Sequence, residues 1–595
     1  MCGIIGVFSW RGSADRPRRV DVEFARDLMW RRGQDGTGFW QTDDGRAMFG
    51  HRRLAIIDLN DRSNQPLTRG PLTLVFNGEI YNFRALRLDL EASGATFTTD
   101  GDSEVILALF ERDGPAAFAK LRGMFALAIF DRRESSLILA RDPYGIKPLY
   151  VAEASDGLWF GSQVKALRTI PSISSDPDPA GITGFHLWGS VPEPFTLYRA
   201  IRSVPAGHWQ KVTSLGLEEP VGYASVAKVL ADVTPTLEGD VETIVTQAIR
   251  DSVAAHLVAD VEVGVFLSGG IDSAALLGTM KALGQDRIKA ITIGFDEFAD
   301  TQLDEVRLAA QSARRYGAEH IVERLTRADI EVNLETVLDT MDQPSIDGVN
   351  SWFASRTAHR AGLKVALNGL GADELLAGYS TFESVPALHR RARGVAKLPF
   401  VPAIIDWGLR NGLPRFDQRH PKAAGVLRFG GTMAGAYMVR RALLIPSRLD
   451  GVLDDDMLRE GLARLRAIEG VAAAAHPMPS STTAHIMALE AGNYLKNQLL
   501  RDADWSSMAH TLELRVPFVD FETLKRVAPV AQWLGKRRGK RALADVPTPP
   551  LCTEVVERAK SGFATPLNVR VRSDGSVDGS GSRSWAKRVA DAFAE

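Results

Sequence analysis

The pattern of apolar residues changes near Thr234, and this change divides the 595-residue chain into two regions of different architecture. Before it, short apolar or alternating runs recur between Gly, Asp, Asn and Pro residues, which predicts strands. After it, long helices alternate with short, fully apolar strands, which predicts parallel βαβ units. Because one core cannot serve a chain of this length, we expect a largely antiparallel α+β domain followed by an α/β domain with a parallel sheet.

Charge and cysteine content exclude several classes of protein. The formal net charge of −2 argues against nucleic acid or an anionic membrane as a partner. The two cysteines, Cys2 and Cys552, lie at opposite ends of the chain, which excludes a disulfide framework and fits a reducing compartment. No apolar run in the sequence approaches the ~18 residues of a membrane span. We therefore expect a soluble, cytoplasmic protein.

A glycine turn, Ser268-Gly269-Gly270, follows the apolar strand predicted at 263–267 and leads into a helix predicted from Ile271. Backbone N–H groups and a helix N-terminus converge in such a turn, which suits phosphate. The hydroxyls of Ser268 and Ser273 can donate to phosphate oxygens, and Asp272 can hold Mg²⁺. The alternative is an ordinary strand-to-helix turn, with Asp272 favoured there by the helix dipole.

A second turn of this kind, Asn368 to Glu374, follows the apolar strand predicted at 364–367 and supplies Asp373. Parallel strands present their carboxyl ends at one edge of the sheet, so Asp272 and Asp373 are expected at the same edge. Together the two turns indicate a shared site for a metal ion and a triphosphate.

Cys2 would carry both a thiol and a free α-amine if Met1 were removed. An α-amine has a reference pKa of about 7.7–8.0, so near neutrality much of it is available as a base that can generate the reactive thiolate. Taken by its position alone, Cys2 is either an N-terminal nucleophile or a small buried residue of an N-terminal strand.

These features together resemble the glutamine-hydrolysing asparagine synthetase family over nearly the whole chain. Matching motifs in the first half are Cys2–Gly6, Arg32–Gly36, His51–Asp58, Gln65–Leu67, Phe76–Asn82, Gly101–Glu104 and Arg141–Tyr150. Those in the second half are Ser268–Ser273, Ile293–Phe295, Asp304-Glu305 with His320, Asn368–Glu374, Ser507–Ala509, Glu513–Asp520 and Lys560–Phe563.

The resemblance implies two catalytic domains. Residues 1–212 are expected to form an N-terminal-nucleophile-hydrolase-like α+β sandwich with glutaminase activity. After a linker at 213–238, residues 239–570 are expected to form an adenine-nucleotide α-hydrolase-like (ATP pyrophosphatase) domain with added helices. The Ser/Gly-rich stretch 573–584 predicts a flexible tail at 571–595. The resemblance also suggests a homodimer.

For glutamine hydrolysis, the resemblance implies Cys2 as the nucleophile and Asn77 and Gly78 as the oxyanion donors that contact the substrate. It assigns Arg53 to the glutamine carboxylate, and Glu79 and Asp102 to its ammonium group. Structural alternatives stay open: Asn77-Gly78 is also a hairpin turn signal, and Asp102 or Ser103 is also a helix N-cap.

For the second half-reaction, the resemblance implies ATP and Mg²⁺ as cofactors and a carboxylic acid, such as aspartate, as the substrate that is adenylated. The implied Mg²⁺ ligands are Asp272 and Asp373, and Lys560 is expected to face the adenylate and the pyrophosphate. The implied ATP contacts are Leu267, Ser268, Gly269, Gly270, Asp272, Ser273, Ile293, Asn368 and Gly369.

The chain departs from the family pattern mainly in the acceptor half. In the second glycine turn, Asn368 stands for a serine and Leu370 for an acid, and Trp505 replaces an arginine. Gln34, Gln163 and the stretch 342–350 also differ. Two alternatives to an asparagine synthetase therefore stay open: an amidotransferase for another carboxylate (a secondary metabolite, sugar acid or peptide), and a non-catalytic scaffold.

Overall fold

The computed structural model describes residues 2–10, 15–301, 303–394, 422–535, 538–558, 565–567, 570–571, 577–578 and 581–594. In the first region it places two largely antiparallel sheets face to face, with strand orders β10-β8-β9-β1-β3-β2 and β12-β11-β7-β6-β5-β4 and with β13 paired to β11. The strands β1 to β13 are Gly3–Ser9, Gly36–Gln41, Ala47–Arg53, Leu67–Arg69, Leu72–Ile80, Gly123–Asp131, Ser136–Arg141, Tyr150–Ala154, Gly157–Gly161, Ile201–Ser203, His208–Thr213, Gly216–Leu217 and Val221–Gly222.

Alternation along β1 shows how the layers form. Ile4 and Phe8 point into the core between the two sheets, whereas Ile5 and Val7 pack under the helix Arg19–Leu28. Successive side chains of a strand face opposite sides, so an apolar strand is buried on both faces only when both are covered. The sandwich therefore begins at the N-terminus, where the candidate nucleophile lies.

The second region contains a five-stranded parallel sheet in the order β16-β15-β14-β17-β18. Its strands β14 to β18 are Val263–Phe266, Lys289–Phe295, Glu319–Leu325, Val365–Leu367 and Glu513–Arg515. β14 and β17, the strands that precede the two glycine turns, are neighbours in this sheet. The predicted two-domain fold, an antiparallel sandwich followed by a parallel-sheet domain, is confirmed.

Helices cover both regions. In the first they are Arg19–Leu28, Phe83–Ala92, Asp102–Asp113, Val164–Leu167 and Pro179–Trp188. Those that follow, up to the parallel sheet's last strand, are Val226–Asp232, Val241–His256, Ile271–Ala282, Val306–Tyr316, Arg327–Thr340, Val349–Arg360, Ala372–Leu375, Thr381–Ala392, Ala423–Phe429, Met433–Arg441, Asp455–Leu465, Ala467–Ala473, Thr482–Glu490 and Arg501–Met508, with a π-helical segment at Ala491–Leu500. The remainder are Phe521–Val527, Arg538–Ala544, Thr553–Glu557 and Gly581–Ala594.

Two predicted irregular segments carry regular structure. The interval 213–238 contains β12, β13 and the helix Val226–Asp232, since pairing with β11 extends the sheet beyond residue 212. The predicted flexible tail contains the helix Gly581–Ala594, because Trp585 and Val589, four residues apart, bury one face of it. Arg570–Val571 also pairs with Val577–Asp578. Within the described ranges, no helix is both long and apolar enough to cross a membrane.

The two domains meet through buried and half-buried polar contacts. Arg122 of the first domain forms a bidentate ion pair with Asp520 of the second. Asp342 of the second accepts hydrogen bonds from the backbone N–H groups of Val164 and Lys165. The helix Arg501–Met508 and strand β18 face the first domain at this junction, close to Cys2 and Glu79.

Candidate active sites

Cys2 lies directly before β1 and is buried, with 7% of its surface exposed. Its backbone nitrogen donates to the side-chain oxygen of Asn77 at 2.9 Å. Burial raises the pKa of the Cys2 thiol, while the Leu54 N–H and the Arg53 guanidinium act in the opposite direction. The thiol therefore needs a nearby base for its activation.

Asn77 and Gly78 lie on β5, and both are buried opposite β6. Asn77 Oδ1 accepts from Cys2, whereas Asn77 Nδ2 has no hydrogen-bond partner among the described residues. Gly78 has φ +155°, and a Cβ there would overlap the carbonyl oxygen of Met124 on β6. A buried amide donor left without a partner is costly, which makes Asn77 Nδ2 a candidate oxyanion donor. The pair lies within a strand, so the hairpin-turn alternative does not apply here.

Glu79 and Asp102 form a buried acidic pair near the thiol. Asp102 Oδ2 accepts from the N–H of Ile80 at 3.0 Å, which ties the helix Asp102–Asp113 to β5. Burial raises the pKa of Asp102 to about 6, and it raises the pKa of Glu79 well above its usual range, with Glu513 adding to the effect on Glu79. Such carboxylates favour a cationic ligand, because a neighbouring positive charge stabilises their ionised form. Asp102 is the first residue of its helix and Gly101 is the cap, so neither predicted N-cap residue is confirmed.

Arg53 has a second role that sequence reasoning missed. Its guanidinium donates to the carbonyl oxygens of Ile57, Asp58 and Asn60 and to the side chain of Asn64. It thereby shapes the loop that borders the site, and its predicted contact with the glutamine carboxylate stays a prediction.

Arg32 is another residue that sequence reasoning did not single out. It is fully buried; its Nε donates to the Cys2 carbonyl oxygen at 3.1 Å, and its two terminal nitrogens bind Asp504 at 2.7 and 3.0 Å. One guanidinium thus connects the candidate nucleophile to the second domain. The only sequence signal was its position in the matching motif Arg32–Gly36, since Asp504 is 472 residues away.

The first glycine turn is held by its serine side chains. The N–H of Ser268 donates to Ser273 Oγ at 2.9 Å, the two hydroxyls are 2.9 Å apart, and the N–H of Gly270 donates to Ser268 Oγ. The helix Ile271–Ala282 begins immediately afterwards. Its N-terminus and the hydroxyls lie together, which is the arrangement expected of a phosphate cradle.

The second glycine turn brings Asp373 to Asp272, as the sequence predicts. Gly369 packs so closely against Asp272 that a Cβ would come within 3.0 Å of the Asp272 Cβ. Lys540 binds both aspartates, with Nζ 3.0 Å from Asp373 Oδ1 and in contact with Asp272. Sequence reasoning missed Lys540; it proposed Lys560 as the cation of this site, and that residue lies outside the described residues.

The donor set at this edge fits Mg²⁺. Two carboxylates from neighbouring strand ends, together with phosphate oxygens, are the ligands that this ion prefers. In the part of the chain that the structure describes, no cluster of three or more His, Cys, Asp or Glu residues forms a metal cage by itself. The two carboxylates already share one positive charge, because the ammonium group of Lys540 contacts both of them.

A cavity of about 1070 Å³ opens above this edge of the parallel sheet. Its walls include the predicted ATP contacts Leu267, Ser268, Gly269, Gly270, Asp272, Ser273, Ile293, Asn368 and Gly369. Glu374 also lies there, and burial, aided by Asp373, raises its pKa to about 8. The volume is large enough for a nucleotide with a small acid beside it.

Two of the residues that depart from the family pattern, Asn368 and Leu370, line this cavity, and a third, Trp505, contacts its lining residue Asp502. Leu370 is part of the wall, and its N–H donates to the side chain of Asn368 at 3.0 Å. Trp505 donates through Nε1 to Asp502 Oδ1 at 2.8 Å, and Ser345 donates to the other oxygen of that carboxylate. The replacements are therefore integrated into a hydrogen-bonded wall.

Comparisons with known proteins cover both halves of the chain. Residues 1–223 match the family model described as a glutamine amidotransferase domain, and residues 245–580 match the one described as asparagine synthase. Asparagine synthetase 1 (glutamine-hydrolyzing) of Bacillus subtilis is 29% identical over 582 residues, covering 95% of this chain and 87% of the relative. A Mycobacterium tuberculosis H37Rv relative that also carries an asparagine synthetase name is 31% identical, covering 96% of this chain and 89% of its own.

Among solved structures, glutamine phosphoribosylpyrophosphate amidotransferase from B. subtilis has a TM-score of 0.30 at 17% identity. The match covers 54% of this chain and 65% of that one. At this score the likeness carries no weight beside the two family models.

Proposed function

The chain belongs to the glutamine-hydrolysing asparagine synthetase family, and we propose that it transfers the amide nitrogen of glutamine to the side-chain carboxylate of aspartate. The overall reaction converts aspartate, glutamine, ATP and water into asparagine, glutamate, AMP and pyrophosphate. It is a glutamine-dependent amide ligase. The names of the relatives do not favour another carboxylate as the acceptor.

The first half-reaction uses the site around Cys2. Removal of Met1 would turn the Cys2 nitrogen, which Asn77 Oδ1 already holds, into an α-amine beside the thiol. That amine accepts the thiol proton as the sulfur attacks the glutamine amide carbon, and the oxygen of the tetrahedral intermediate receives hydrogen bonds from Asn77 Nδ2 and the Gly78 N–H. Ammonia leaves, and water then hydrolyses the γ-glutamyl thioester to glutamate.

Two acidic residues and one arginine would select glutamine. Glu79 and Asp102 would bind its ammonium group, and Arg53 would bind its carboxylate. Because burial raises the pKa of both acids, their ionised forms need a nearby positive charge at neutral pH, and the ligand's ammonium group would supply it. An analogue without the ammonium group would leave both buried acids without the positive charge that the ligand supplies.

The second half-reaction uses the cavity above the parallel sheet. ATP would lie with its phosphates at the turn Ser268–Gly270, and Asp272 and Asp373 would hold Mg²⁺, which supplies charge neutralisation of the triphosphate. The aspartate carboxylate attacks the α-phosphorus, pyrophosphate leaves, and ammonia displaces AMP from the acyl-adenylate. Lys540 would shift its charge toward the phosphates as the carboxylates take up the metal ion.

One observation carries this proposal: a single side chain, Asn77, binds the Cys2 nitrogen through one atom and leaves its amide donor free of partners in the described structure. Such an arrangement suits acyl transfer, because the amide of Asn77 could donate a hydrogen bond to the oxyanion of the tetrahedral intermediate. The adjoining domain then supplies the carboxylates and glycine turns that a nucleotide-dependent acceptor of ammonia requires.

The test measures glutamate, asparagine, AMP and pyrophosphate from the purified chain with aspartate, ATP and Mg²⁺, and with either glutamine or ammonium as the nitrogen source. We expect Cys2→Ala to lose the glutamine-dependent reaction and to keep the ammonium-dependent one. Cys552→Ala, which alters the other, half-buried cysteine, is the matched control and should keep both. Pyrophosphate release that required an acid other than aspartate would contradict the proposal.

A further inference from the structure

Arg515, on β18 of the second domain, extends into the glutaminase site of the first. It is fully buried. Its Nε donates to Glu513 Oε1 at 2.6 Å, and its Nη1 donates to the carbonyl oxygens of His256 and Val258 at 2.7 Å each. The N–H groups of Nε and Nη1 thus make three hydrogen bonds within the second domain. The remaining nitrogen of the guanidinium points across the domain boundary.

That nitrogen, Nη2, lies 3.5 Å from Oε2 of Glu79. Neither atom has a hydrogen-bond partner among the described residues, although both are buried. The two groups attract each other as charges but do not form a hydrogen bond at this distance. Glu79 Oε2 therefore lies beside a guanidinium and keeps the capacity to accept a hydrogen bond from a ligand.

The surroundings of Glu79 contain more acidic than basic side chains. Glu513 approaches from β18 and Asp102 from the helix Asp102–Asp113, and both raise the pKa of Glu79 in addition to the larger effect of burial. Arg515 acts against these three effects. Without Arg515, the Glu79 carboxylate would lose the guanidinium that favours its ionised form.

On the basis of the proposed contact between Glu79 and the glutamine ammonium group, we propose that Arg515 is a positioning residue of the glutamine site. Its guanidinium orients the Glu79 carboxylate for the substrate. Because the second domain anchors Arg515, docking of the two domains forms part of the glutamine site. Loss of the Arg515 guanidinium would weaken glutamine capture and leave the contacts of Cys2 with Asn77 and Arg32 in place.

The test compares glutamate formation by the full-length wild type and by Arg515→Met between pH 6.5 and 8.5. We expect KM for glutamine to rise about tenfold or more at pH 6.5, with kcat changed less than threefold, because a larger fraction of Glu79 is protonated. The ratio of variant KM to wild-type KM should fall as pH rises and Glu79 ionises. Ammonium-dependent asparagine formation, which does not use this site, should stay unchanged.

Arg515→Lys keeps the positive charge and is the second variant in case the methionine variant does not fold. A lysine cannot bind Glu513, two carbonyl oxygens and Glu79 together, so KM for glutamine should rise by a smaller factor with little pH dependence. A pH-independent KM ratio for the methionine variant, or an unchanged KM in a folded lysine variant, would overturn this inference alone. Failure of the wild type to form glutamate would overturn the proposed function and this inference with it.

Discussion

Asn77→Ala tests the candidate oxyanion site most directly. The change removes the Nδ2 donor and leaves the Cys2 backbone nitrogen without its acceptor. Loss of one oxyanion donor lowers kcat by about 10²–10³, which corresponds to about 2.7–4 kcal/mol of transition-state stabilisation. The lost hydrogen bond to Cys2 adds about 1–3 kcal/mol of local destabilisation, because Asn77 is fully buried and water cannot replace it.

The assay measures glutamate formation from glutamine under saturating conditions, with ammonium-dependent asparagine formation as an internal control in the same chain. We expect the first rate to fall at least a hundredfold, KM for glutamine to change little, and the second rate to stay within twofold. A kcat for glutamine hydrolysis within threefold of the wild type would refute the role of Asn77. A parallel loss of both activities would show a folding defect, and melting of the variant would identify it.

Three further predictions address the backbone donor, the nucleotide site and acid stability. Gly78→Ala should lower glutaminase kcat at least tenfold, because its Cβ would overlap the Met124 carbonyl, whereas Gly101→Ala, with ordinary contacts, should keep most activity. Asp373→Asn should abolish aspartate-dependent pyrophosphate release and preserve glutamate formation, since the two sites lie in separate domains; retention of pyrophosphate release would contradict its role. Burial lowers the pKa of the His51 imidazole to about 3. Between pH 6.5 and 3 only the unfolded chain therefore binds a proton at this residue, so the free energy of unfolding falls as the pH falls. In denaturant titrations His51→Gln should reduce the slope of the free energy of unfolding against pH by about 1.4 kcal/mol per pH unit. An unchanged slope would contradict a neutral, buried His51.

Local sequence was sufficient to predict those strands, helices and turns that one continuous segment of the chain forms. The strands predicted at 263–267 and 364–367 are observed at Val263–Phe266 and Val365–Leu367, and the helix predicted from Ile271 is observed at Ile271–Ala282. The glycine turns could also be placed, because an apolar strand, a turn and a helix start are consecutive in the chain. The tail was mispredicted because the composition of 573–584 outweighed the spacing of Trp585 and Val589 just beyond it.

Residues that meet only through tertiary packing could not be found this way. Arg32 contacts Asp504 over 472 positions, and Lys540 contacts Asp272 over 268. No periodicity links such positions, because their proximity follows from how separate elements pack and not from spacing along one element. The same holds for Arg515 and Glu79, whose contact joins the fifth strand of one domain to the last strand of the other domain's parallel sheet.

Sequence alone was enough to predict the two-domain fold, the candidate nucleophile and the pairing of two aspartates at one sheet edge. These depend on local rules: side-chain alternation in strands, glycine turns and the chemistry of an N-terminal cysteine. The tertiary structure sets which charges share a buried space, because burial and the distance between groups determine their electrostatic free energy. It therefore decided that Lys540 neutralises the aspartate pair, that Arg32 connects Cys2 to the second domain, and that Glu79 lies against Arg515.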